Sequence, residues 1–272
     1  MIECLVGSEM CIRDSYIDVT IKDEVIYKNR LLMLDIIANN NWERPIYFSG
    51  GSFGDDDYLW MKDYLQMDGV VYKLVPIKTP LDKDNPFDMG RVDADKSYEI
   101  VKNWDWGNSG DPAIYHDIET RRNGLTYRSN LARIAEALLK ENKLDKAREI
   151  LDLAMEKMPV DTFAFYSLLE PYMQMYYSVN QPGKAREIYA QLAVVYQEKL
   201  LYFSSFKTNE QIDMRREIYT DMERYRAIVT VLLAEDSKEY ALSEAIKFNG
   251  YIKLFPYLYN PDEGIELEDK SG

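Results

Sequence analysis

A chain of 272 residues that is 46% hydrophobic and 29% charged can bury a substantial core, which excludes a disordered tail. Its 33 basic and 47 acidic side chains leave a net charge of -14, a surface that repels phosphate backbones and argues against a nucleic-acid partner. A single histidine (His116) and two cysteines argue against a His/Cys zinc centre, and apolar stretches such as Ile228–Ala234 fall far short of the roughly 20 residues of a membrane helix.

The first fifteen residues, MIECLVGSEMCIRDS, hold both cysteines, Cys4 and Cys11. They lack the basic start and apolar centre of a signal peptide and resemble a translated sequencing adapter, so 1–15 is read as a non-native leader. The expected organisation is then a small α/β domain over 16–123, a helical domain over 124–260 and an acidic tail over 261–272. The chain itself is expected to be the C-terminal piece of a longer protein.

In the first domain, Tyr16–Ile21 alternates and predicts a strand. Residues 28–39 carry LLMLDIIA, apolar on most sides, which predicts a buried helix. Pro45–Ser49 predicts a short strand ending in the turn Gly50-Gly51. The spacing of Tyr58, Leu59, Met61, Tyr64 and Leu65 predicts a helix over 55–67, stopped by Gly69. Val70–Val75 predicts another strand, 77–96 a long polar loop, and Ser97–Trp104 a short helix. Strand, helix, strand, helix, strand in this order predicts an α+β protein whose small sheet is mainly parallel.

From Leu125 to Asn249 the glycines fall away to one, Gly183, and a helical repeat takes over. Leu131, Ile134, Ala135 and Leu138 share one helix face, Ala147, Leu151 and Ala154 the next, with the turn Glu141-Asn142-Lys143 between them and Pro159 as the stop. Thirty-eight residues on, Leu169, Tyr172, Met173 and Tyr176, then Ala185 and Tyr189, repeat the pattern around the turn at Asn180–Gly183. A third copy has Tyr225, Ile228, Val229 and Leu232, then Ala241 and Ala245, with Gln211–Leu233 read as one long helix leading into it. Small residues where two helices cross, with large ones between, resemble tetratricopeptide repeats, which implies an all-α solenoid that holds a protein or peptide.

Few residues suggest chemistry. Asp55-Asp56-Asp57 after the glycine-rich loop Gly50–Gly54 is open to a metal or base role, but a helix N-cap with first-turn acids explains it better. The loop lacks the lysine of a P-loop. His116 and Asp117 are sequence neighbours, a poor arrangement for a hydrogen-bonded dyad. Trp104 and Trp106 are open either to stacking on a sugar or to sealing a seam between domains, and Tyr172, Met173, Tyr176 and Tyr177 either to lining a peptide groove or to packing a core. These six are the candidate partner-binding residues. No catalytic residue, metal ligand or cofactor site is predicted.

The stretch LLMLDIIANNNWERPIYFS (Leu31–Ser49), with GVVYKLVP (Gly69–Pro76), NWDWGN (Asn103–Asn108) and the helices from Gly124 on, is similar to the C-terminal region of a bacterial multi-pass membrane family of unknown function. That family in turn resembles GT-C glycosyltransferases of the protein O-mannosyltransferase kind. The resemblance implies a membrane region that uses a lipid-linked sugar, carries the catalytic acids and lies outside this chain. It implies that the present part is a non-catalytic accessory or interaction region on the periplasmic face. A free-standing repeat scaffold is the alternative.

Overall fold

The computed structural model describes residues 17, 19–21, 24–50, 54, 56–79, 89–164, 166–260 and 264–265. The proposed leader and most of the acidic tail lie outside the described residues, as do Asp55, Gly51–Phe53, and Tyr16 and Asp18 of the first expected strand. The neighbours Ile17 and Val19–Ile21 form no strand. Two compact units result, Met1–Gly107 and Asn108–Gly272.

The first unit contains helix α1 (Lys28–Ala38), strands β1 (Tyr47–Phe48), β2 (Leu65–Asp68), β3 (Val71–Leu74) and β4 (Arg91–Val92), and helix α2 (Ala94–Lys102). The sheet order is β1-β3-β2-β4, with β1 and β2 both antiparallel to β3 and only β4 parallel, to β2. The sheet is therefore mixed, where a mainly parallel one was expected. The cause lies in 55–67, which does not form a helix. Leu59 and Trp60 take positive φ (54° and 57°), a conformation no α-helix admits, and only short 3-10 turns form at Asp56–Tyr58 and Lys62–Tyr64. The chain then runs directly into β2, all four of whose residues are buried. Gly69, expected to cap a helix, instead opens a two-residue hairpin at φ 71°, the place where glycine is preferred. The expected loop 77–96 is cut short by β4 and α2. Asp93 caps α2 by accepting from the Lys96 N–H at 3.2 Å, and Lys96 Nζ pairs with the nearly buried Asp68 at 2.7 Å.

Helix α1 forms where expected, but none of its residues is buried. Leu31, Leu32, Met33 and Ile36 are 59%, 60%, 41% and 57% exposed. The expectation of burial rested on apolar content, and residues apolar on most sides give a helix no preferred inner stripe.

The second unit is helical: α3 (Ile118–Lys140), α4 (Leu144–Lys157), α5 (Val160–Phe163), α6 (Glu170–Ser178), α7 (Pro182–Ser204), α8 (Thr208–Asp213), α9 (Arg215–Glu235) and α10 (Lys238–Ile252). α3 and α4, α6 and α7, and α9 and α10 make three helical hairpins. α6 packs on both helices of the first hairpin and α9 on both helices of the second, so the pairs stack in register. Leu131, Ile134, Ala135, Leu138, Ala147, Leu151 and Ala154 are all fully buried, as their spacing predicts. Each buried leucine or isoleucine among them contributes about 1.5–3 kcal/mol.

The first two turns close identically. Asn142 and Asn180 both sit at φ 57°, and the Lys143 and Gln181 N–H groups donate to the Leu138 and Tyr176 carbonyls, each at 2.8 Å. This is the left-handed helix stop with asparagine in the place glycine commonly takes. The third turn differs: Asp236 is extended (φ -103°, ψ 177°) and its side chain does the closing. The expected single helix over 211–233 is broken at Met214. There α8 ends and α9 begins, and Gln211 Nε2 turns back to donate to the Phe206 carbonyl at 2.9 Å.

Candidate functional site

The side chains open either to lining a groove or to packing a core lie mostly in the core. Tyr172, Met173 and Tyr176 are buried, and Tyr177 is half-buried. Each hydroxyl is committed: Tyr172 donates to the Arg128 carbonyl at 2.7 Å, Tyr176 to Asp152 at 2.9 Å, and Tyr177 to Asp236. Burial raises the pKa of all three above the ordinary phenol range, so they stay neutral donors. The rings of Tyr172 and Tyr176 are withdrawn from the surface, while Tyr177 stays partly exposed.

Around Tyr177 lies a cluster that the sequence does not announce. Arg186 on α7 donates through both Nε (2.8 Å) and a terminal nitrogen to the Asp236 carboxylate, and its guanidinium stands 4.7 Å over the Tyr240 ring. The Asp236 side chain is 2% exposed. The Arg186 hydrogen bonds hold its pKa well below the usual carboxylate range, with the Tyr177 and Ser237 donors adding to the effect. Nearby, Glu244 accepts from Tyr189 at 2.9 Å and from Lys247 at 2.7 Å. Apart from Lys247, the side chains that join Asp236 and Glu244 to α6 and α7 come from fifty or more residues away and leave no local motif to find.

Arg128, on α3, is the largest fully buried side chain. Its guanidinium donates to the carbonyls of Met158 (2.8 Å), Pro159 (3.5 Å) and Ala164, where the chain turns after α4. Burial lowers its pKa to about 10, which still leaves it charged at neutral pH. Ala164 has φ 51°, a strained conformation for a residue with a side chain, and the Arg128 contact helps hold it. Arg128 therefore closes the end of α4.

Trp104 and Trp106 are half-buried with ring centroids 5.4 Å apart. Trp104 packs over the β2–β3 turn, where a Cβ on Gly69 would come within 2.7 Å of its ring. Asp56 and Asp57 pair with Arg30 of α1 at 2.6 Å and 3.2 Å, a structural tie rather than an open acidic site. His116 Nε2 lies 3.1 Å from the Ser109 carbonyl and its ring 5.0 Å from Phe163, while Asp117 caps α3 by accepting from the Thr120 N–H at 2.7 Å. The two neighbours serve separate partners and form no dyad. Among the described residues no three acids, histidines or cysteines come together to hold a metal ion.

The geometry therefore consists of a helical stack locked by buried polar pairs, and a sheet unit with one apolar helix turned outward. A family model described as TMEM260-associated domain 2 matches residues 6–96, the part that includes α1 and the sheet. The match links this part of the chain to a family of a transmembrane protein. No curated protein and no solved structure matches the chain. Among the described residues no helix is long and apolar enough to cross a membrane.

Proposed function

We propose that the chain is the soluble accessory region of a membrane protein of the GT-C glycosyltransferase-like kind, on its periplasmic face, and that it holds a protein partner rather than making bonds. The observation that carries this is the outward face of α1. Leu31, Leu32, Met33 and Ile36 stand exposed inside the segment matched by a transmembrane-associated family model, and such a face is built to be covered. The stacked hairpins, read as tetratricopeptide-like, supply the partner-holding half, and stacked helix pairs of this kind offer extended binding surfaces. A lipid-linked sugar would enter only through the membrane half.

The test uses the gene product with its upstream reading frame. A photo-crosslinking residue at Leu32 should capture a membrane-embedded segment of the same polypeptide, and adding Leu31→Glu with Ile36→Glu should abolish capture. The purified 272-residue chain should turn over no lipid-linked sugar. Turnover by this chain alone, or an upstream frame without apolar segments of about 20 residues, overturns the reading. The second outcome favours the free-standing repeat scaffold, which the in-register stacking of the three hairpins supports by itself.

A further inference from the structure

Asn249 lies near the end of α10, and its side chain holds a piece of the chain's own C-terminal region. Its Nδ2 donates to the Ile265 carbonyl at 2.9 Å, and its Oδ1 accepts from the Ile265 N–H at 2.8 Å. One amide thus satisfies both backbone groups of a single residue, as a neighbouring β-strand would. The contact reads backbone, so the identity of the docked residue matters less than the space around it. The preceding residue is where side chains are sorted. A Cβ on Gly264 would stand 2.8 Å from Asn249 Oδ1, so a side chain there pushes the strap off its clamp.

The surrounding face is open. Ile246 and Lys253, three residues before and four after Asn249, share its side of the helix; Ile246 is 60% exposed and Lys253 is exposed. Gly250 has nothing within 4 Å of where its Cβ would lie. In sequence the docked pair is flanked by Asp262, Glu263 and Glu266, so the segment that carries it is acidic.

We propose that this face of α10 is a binding site for extended, acidic polypeptide carrying a glycine before an aliphatic residue, and that Gly264–Ile265 occupy it in cis. The proposal rests on the reading of the helical unit as a holder of polypeptide. A tethered strap on a short linker acts at an effective concentration of about millimolar, so a site it fills must bind the free segment at submillimolar strength.

The test uses full-length chain and a synthetic peptide of residues 260–270. In the wild type, the Ile265 amide should exchange at least about tenfold more slowly than in Asn249→Ala, since the protecting acceptor is gone. Gly264→Val should release the strap and bind the peptide at least about tenfold more tightly than wild type, read by NMR titration of the Asn249 side-chain amide. Adding Asn249→Ala to Gly264→Val should abolish binding, read on backbone resonances of α10. An unprotected Ile265 amide in the wild type overturns the proposal whatever the variants do. So does equal peptide binding with and without Asn249. None of these readouts involves the membrane half, so the crosslinking result at Leu32 and this one can fail separately.

Discussion

The two units treat apolar sequence in opposite ways. In the helical unit the buried residues of α3 recur at helical spacing, and Leu131, Ile134 and Leu138 lose all contact with water. In the sheet unit α1 is at least as rich in leucine and isoleucine, yet it buries nothing fully. Apolar content says that a surface wants cover; only its periodicity says whether the same chain supplies the cover.

The largest expected effects break the helical side of this contrast. Arg128→Ala should cost about 3–5 kcal/mol of stability by leaving one buried and two part-buried carbonyls without their donor and a cavity between α3 and the turn after α4. Ile134→Ala should cost about 2–4 kcal/mol through its cavity. Chemical denaturation measures both, and a loss below about 1 kcal/mol for either would mean that the stack is looser than its burial implies.

A pH series sharpens the point about the third turn. The Asp236 carboxyl is held below its ordinary value, so its contribution is present above about pH 4 and is lost as pH falls from there through the lower folded value. Asp236→Asn should therefore be less stable than wild type at pH 7, and the gap should close on acidification. A gap that stays constant down to pH 2 would remove the Arg186–Asp236 lock as its cause. The first two turns lack this dependence. There, Asn142→Ala and Asn180→Ala should each cost about 1 kcal/mol, and equally, because both replace an asparagine, which tolerates left-handed φ, by an alanine, which does not, at the same φ. The smallest effect belongs to α1: Leu32→Ala should change stability by no more than about 0.5 kcal/mol. A larger loss would show that this helix packs after all.

Legibility followed the same division. The first two hairpins were readable because a 3.6-residue period recurs at a fixed offset, and the offset extends to the backbone of the turns. The sheet was not, because Leu65–Asp68 is a run of four buried residues, too short for period to separate strand from helix. Nor does any residue type announce positive φ at Leu59 and Trp60, on which the choice turned. Helix α1 was legible as a helix but not as an exposed one. The candidate tyrosines were found, with their setting left open between groove and core. Side chains that fill a core and side chains that line a groove share one spacing, and the hydroxyl partners that decide between them, Asp152 and Asp236, lie far away in sequence. The Asn249 clamp is a single polar residue on a helix, invisible until its partner folds back.

The matching turns at Asn142 and Asn180 have one more consequence. The block from Lys143 through Asn180 starts and finishes at the same hydrogen-bonded helix stop. A gene could be spliced at those two codons and the segment copied, and each junction would meet the geometry it already has. The array is in that sense a measuring rod with a marked interval, and its length is open to change by whole intervals.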